Sequence, residues 1–177
     1  SVTSLNVIRN GSSGNALAAG TADGLTIIDS SGGPLWTTTS AQWAEGGTFV
    51  VLDDINADNV SDLAVSSASR IAVLKSQGSA SAYGIHQTIA SEAGFSILIP
   101  RMVADSDSDG VRELAYFLEG QSENEKEYGH SPPLHQLCVQ SLKSGKRLFK
   151  VDLQKTVFAY DLACGDFNGD AYPDSVL

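Results

Sequence analysis

Three nine-residue segments of this chain place an oxygen-bearing side chain at positions 1, 3, 5 and 9: DINADNVSD at 54–62, DSDSDGVRE at 105–113 and DFNGDAYPD at 166–174. Each is flanked by short apolar runs, so each reads as a loop between two strands. The surrounding sequence repeats as well. An apolar strand, the acidic loop, a short apolar strand, a turn and two further strands recur from Gly46, from Phe95 and from Thr156, the last copy stopping inside its second strand. A unit repeated at tens of residues cannot bury its apolar face alone, so its copies are expected to stack as in propellers or solenoids.

An earlier, degenerate copy begins at Ser4 (SLNVIRNGSSGNALAAG), where the loop is short and lacks carboxylates, and it continues through GLTIID and PLWTTT. With Asn10, Asp54, Asp105 and Asp166 as equivalent anchors, the spacings are 44, 51 and 61 residues, which suits four short strands and variable loops. The extra length of the third unit falls in residues 119–133, whose Gly, Pro and charged residues mark an exposed loop. Helical periodicity never lasts beyond about two turns. The expected fold class is therefore all-β: a β-propeller region of four-stranded antiparallel blades across 1–177, with blades near 1–45, 46–93 and 94–155 and an incomplete one at 156–177. Three and a fraction blades cannot close a ring, since propellers use four to eight. The chain is expected to be a fragment or to be completed by a partner.

A hard cation such as Ca²⁺ takes 6 to 8 oxygens, and alternate residues of a tightly curled loop can aim theirs at one centre. Position 7, occupied by Val60, Val111 or Tyr172, would offer a backbone carbonyl and so can carry an apolar side chain. Ten of the 21 acidic residues lie in these loops: Asp54, Asp58, Asp62, Asp105, Asp107, Asp109, Glu113, Asp166, Asp170 and Asp174. Carboxylates crowded together repel unless a cation joins them. Asp and Asn are also good turn residues, but three copies at one spacing favour metal. Helical EF-hand loops share the spacing yet need an acidic residue near position 12, where this chain has Val65, Tyr116 and Leu177.

Strand, D-x-[DN]-x-D-x-x-x-[DE], strand resembles the FG-GAP repeats of integrin α-chain propellers and the related VCBS-type repeats, with DSDSDGVRE and GDFNGDAYPD the nearest copies. That resemblance implies blades of four antiparallel strands, with up to three Ca²⁺ held between the first and second strands. The implied ligands are Asp54, Asn56, Asp58 and Asp62; Asp105, Asp107, Asp109 and Glu113; Asp166, Asn168, Asp170 and Asp174. Glu113 departs from the usual Asp. Residues 20–39 and 137–153 also resemble blades of quinoprotein-type propellers, which supports the architecture and not an activity.

The formal charge of −10 argues against nucleic acid and anionic membrane surfaces as partners. No apolar run approaches the ~20 residues of a membrane span, and Ser1 opens the chain without the pattern of a signal peptide, which could have been removed before it. Cys138 and Cys164 either pair or stay as buried thiols. Asn10 (NGS) and Asn59 (NVS) are glycosylation sequons if the protein is secreted.

No catalytic constellation can be assembled from His86, His130 and His135. Trp36 reads as a packing residue, while Trp43 fits either packing or stacking on a ligand. The expected role is an extracellular, cell-surface or lumenal Ca²⁺-binding module for adhesion, recognition or scaffolding, with a protein or carbohydrate ligand or with self-association. The alternatives are a subunit of a self-assembling polymer and a fragment of a quinoprotein-like or carbohydrate-active enzyme.

Overall fold

The computed structural model describes residues 2–21, 24–39, 48–120 and 134–153, together with the backbone of 163–165 and 174–176. Its described residues are all-β apart from one short 3₁₀ turn at Gly11–Ser13. Two compact units divide the chain at Ala90 and Ser91.

The first unit holds two four-stranded sheets. One consists of β1 (Val2–Arg9), β2 (Asn15–Thr21), β3 (Gly24–Ile28) and β4 (Pro34–Thr39), the other of β5 (Thr48–Val51), β6 (Leu63–Ser66), β7 (Arg70–Ser76) and β8 (Tyr83–Ala90). In both, strands pair in chain order and every pair is antiparallel, as short connections require. Local turn chemistry sets the joints. Between β3 and β4, Oδ1 of Asp29 accepts from the backbone N–H of Ser31 and Gly33 and from the Ser31 hydroxyl, folding the Asp-Ser-Ser-Gly-Gly run back on itself.

Short apolar strands become central when both their faces are covered, and LAVS of β6 is buried at every residue. The two sheets share one core, to which Ile8, Ala18, Leu25 and Ile27 contribute from the first and Phe49, Leu63, Val65, Leu74 and Tyr83 from the second. Each large member is worth about 1.5–3 kcal/mol in burial. Trp36 packs at the margin of this core with its ring centroid 5.0 Å from that of Tyr83 and a 51° tilt. The opposite side of β1 exposes Val2, Leu5 and Val7.

The second unit contains β9 (Phe95–Met102), β10 (Leu114–Gly120), β11 (Leu134–Gln140) and β12 (Arg147–Asp152) in one antiparallel sheet, again in chain order. Its core gathers Val103, Ala115, Phe117, Leu137 and Val139. Just before β9, Glu92 bridges Arg147 and Lys150 of β12 at 2.6 Å each. A final pair, β13 (Ala163–Gly165) and β14 (Asp174–Val176), is antiparallel and brackets the third acidic segment, with Gly165 opposite Asp174. Among the described residues no closed barrel or propeller is formed.

Candidate metal centre

The β5–β6 and β9–β10 connections are built to one plan. At position 1, Asp54 and Asp105 each accept two backbone N–H groups from their own loop: Asp58 (2.9 Å) and Asn59 (2.6 Å) in the first, Asp109 (3.0 Å) and Gly110 (2.9 Å) in the second. At position 5, Asp58 and Asp109 each accept from the Val at position 7 at 2.9 Å. At position 9, Asp62 accepts from Ile55 N–H at 2.7 Å and Glu113 from Ser106 N–H at 2.6 Å. The backbones match as well. Position 4 is left-handed in both (Ala57 φ 60°, Ser108 φ 60°), and so is position 6 (Asn59 φ 65°, Gly110 φ 88°). Left-handed φ costs an ordinary residue about 1–2 kcal/mol, and Asn59 satisfies the requirement because Asn tolerates it better than most.

Beyond this plan the loops differ. In the β9–β10 loop the carboxylates of Asp105, Asp107, Asp109 and Glu113 offer ligand atoms that all lie within 4.8 Å of one another, the one such acidic, His or Cys group among the described residues. Glu113 is fully buried at 0% exposure. Its Oε2 takes the Ser106 N–H and hydroxyl, and its Oε1 is buried with no hydrogen-bond partner. Burial pushes the Glu113 carboxyl up, the two Ser106 donors oppose this, and the charges of Asp107 and Asp105 add to the rise. An unpaired buried carboxylate oxygen costs several kcal/mol unless a cation or donor meets it. The donor set therefore fits a hard, oxygen-seeking cation.

In the β5–β6 loop both carboxylate oxygens of Asp54, of Asp58 and of Asp62 have donors. Asp62 gives Oδ1 to Ser76 N–H (2.8 Å) and Oδ2 to Ile55. Oδ2 of Asp58 receives the Ser76 hydroxyl, Gly78 N–H (2.9 Å) and the Asn56 amide (3.1 Å). Burial works to raise the Asp58 carboxyl, but Ser76, Val60, Gly78 and Asn56 together outweigh it and hold the group below its ordinary value. Asp62 goes the other way: burial raises it to about 6 against the N–H groups of Ser76 and Ile55, with Asp58 and Asp54 adding repulsion. Val60, at position 7, sends its side chain into the shared core at 0% exposure, whereas Val111 is half-buried.

This loop also faces a neighbour. Arg9 accepts from Ser61 N–H at 3.0 Å, Gly11 N–H donates to the Asn59 carbonyl at 3.0 Å, and Ala80 N–H donates to Oδ1 of Asn10 at 3.0 Å. Asn10, the position-1 equivalent of the degenerate copy, thus binds sheet to sheet. Of the two sequons, Asn59 is exposed and Asn10 half-buried.

In the third loop Asp166, Asn168, Asp170 and Tyr172 lie outside the described residues, as do Trp43 and His130. Asp174 is described only as the first backbone position of β14. Cys138 is a buried, free thiol whose ionisation is pushed up by burial, while Cys164 lies in β13 with its side chain outside the description. His86 is exposed on β8. His135 is buried on β11, its Nε2 3.0 Å from Oε2 of Glu119. Among the described residues no helix is long and apolar enough to cross a membrane.

The donors Ser76, Ser106 and Ser141 were not singled out in the sequence, yet Ser76 and Ser141 occupy like places, one at the end and one just past the end of the third strand of their sheets, and both reach the position-5 Asp. Ser141 lies 3.4 Å from Asp109 Oδ2. Comparison with family models, with curated proteins and with solved structures found no match to this chain.

Proposed function

We propose that this chain is part of a calcium-binding β-propeller of the FG-GAP/VCBS kind that its loops resemble, with the four-stranded sheets as blades. Its role in this reading is adhesion, recognition or scaffolding outside the cell or in a lumen, not catalysis. The observation that carries the reading is the buried, unbonded Oε1 of Glu113 within a four-carboxylate group. Calcium suits it better than magnesium, because a Glu-bearing all-oxygen loop with a backbone carbonyl from Val111 supplies the larger and less regular shell that Ca²⁺ accepts. The metal's part is structural: it joins the end of β9 to the start of β10 and offsets the mutual repulsion of the four carboxylates. Thermal melts with and without EGTA test this. Calcium at 100 times its Kd is expected to add about 2.7 kcal/mol, and a melt indifferent to chelation overturns the reading.

A second reading, a subunit of a self-assembling polymer, draws on the exposed Val2, Leu5 and Val7 of β1, a strand that ends its sheet. Terminal strands with apolar exposure invite pairing with another chain. Sedimentation velocity across a concentration series separates the two: a monomer throughout removes the polymer reading.

A further inference from the structure

The two described acidic loops share a backbone but not an electrostatic solution. At position 3 of the second loop stands Asp107, a carboxylate. At position 3 of the first stands Asn56, and its Nδ2 donates both to Oδ2 of Asp58 at 3.1 Å and to the backbone carbonyl of Ser76 at 3.0 Å. A carbonyl can only accept, so that second bond fixes which end of the amide faces inward. The N–H₂ end, not the oxygen, points at the Asp58 carboxylate.

Three neutral donors thus converge on one oxygen of Asp58: the Asn56 amide, the Ser76 hydroxyl and the Gly78 N–H. Both oxygens of Asp62 are taken by N–H groups, where Glu113 leaves one bare. An ion entering the first loop would have to displace the Ser76 hydroxyl and turn the Asn56 amide away from Ser76. Ser76 is buried, so a hydroxyl displaced from Asp58 is not freely re-solvated, and the ion's gain there is cut by the bonds it breaks. In the second loop it meets an oxygen that has nothing to lose.

The first loop is also held from outside. Arg9 and Gly11 bond to Ser61 and Asn59, and Asn10 bonds to Ala80, so the shape of the β5–β6 connection is set by sheet-to-sheet contacts as well as by its own donors.

We infer that the two loops divide the work: Asp54–Asp62 is an ion-free clasp joining the first two sheets, closed by Asn56, Ser76 and Gly78 in place of a cation, while Asp105–Glu113 takes the ion. The inference rests on the calcium reading of the second loop and goes beyond it by denying the first loop the same ligand despite matching spacing.

Hydrogen exchange of the whole chain, followed by mass spectrometry with millimolar Ca²⁺ and with EDTA, tests both at once. Peptides over 103–113 are expected to gain at least tenfold protection with Ca²⁺, and peptides over 52–62 to be protected equally in both. Calcium-dependent protection at 52–62 overturns the division of labour and leaves the calcium reading standing. No calcium effect on 103–113 overturns the calcium reading and this inference with it. Asn56→Asp supplies a second arm, because it replaces the inward amide with a carboxylate. The variant is expected to make 52–62 calcium-responsive, and the same calcium-independent protection as in the parent overturns the role given to Asn56.

Discussion

Glu113 gives one carboxylate oxygen to the Ser106 N–H at 2.6 Å and keeps the other buried and unbonded. Replacing it by Gln should shift stability relative to the parent in opposite directions without and with calcium. Without metal, the new amide N–H₂ would sit among the carboxylates of Asp105, Asp107 and Asp109 and bond to them, much as Asn56 does to Asp58 in the other loop. Glu113→Gln should therefore melt higher than the parent in EDTA, by about 1 kcal/mol of added stability. In calcium it should melt lower, with affinity reduced at least tenfold, or about 1.4 kcal/mol. Calorimetric titration and paired melts read both signs, and a variant destabilised equally in the two buffers contradicts the assignment.

Asp62 makes the first loop pH-sensitive. Burial raises its carboxyl from 3.8 to about 6. A carboxyl that holds its proton more tightly in the fold than in the unfolded chain contributes stability that is full below the unfolded value, and that contribution is lost as pH rises through about 6. The shift caps the effect at ~3 kcal/mol. Asp62→Asn removes the titration while keeping one acceptor oxygen. In EDTA, the stability of the parent relative to this variant should fall by about 1–3 kcal/mol between pH 4 and pH 7. Urea denaturation at several pH values measures it, and a difference flat across that range rules Asp62 out as the group.

The loops and strands were legible because their signals are local. Oxygens at alternate positions between apolar runs leave few folds open, and the connections of four-stranded antiparallel sheets follow from Gly, Asn and Asp at the joints. What the sequence hid is which carboxylates are already satisfied. The decisive donor Ser76 is 18 residues from Asp58, and Ser141 is 32 residues from Asp109. The two distances differ because the third unit carries extra residues between β10 and β11, so no fixed spacing exposes the equivalence. The resemblance implies Asn56 as a ligand through its side-chain oxygen. Only the Ser76 carbonyl, brought beside it by β7, shows that the nitrogen faces inward.

Glu92 should contribute with the opposite pH sense. Lys150 and Arg147 bond its carboxylate and hold it below its ordinary 4.5, against a smaller burial effect. A depressed carboxyl adds stability above its unfolded value and loses it as pH falls through the folded one. Because all three side chains are about a third exposed, solvent screening limits the pair energies to about 0.5–1 kcal/mol. Glu92→Gln should cost that much at pH 7 in low salt and much less in 1 M salt, as chemical denaturation in the two buffers would show. A loss that salt leaves untouched points to packing instead.

Gly20 probes the junction of the first two sheets. A Cβ built there would lie 3.0 Å from the Phe49 ring and 2.4 Å from the Ser4 hydroxyl. The hydroxyl can rotate away, but Phe49 is buried in the core that the two sheets share and has little room. Overpacking of this kind costs about 1–3 kcal/mol, so Gly20→Ala should lower stability by that amount. Phe49→Leu alone should also destabilise by removing buried area, yet in the double variant the smaller side chain makes space for the methyl. The two losses should therefore sum to more than the double variant shows, with a coupling of at least 0.5 kcal/mol. Simple additivity in a double-mutant cycle means that β2 and Phe49 do not touch in solution, and the shared core of the first unit would have to be redrawn.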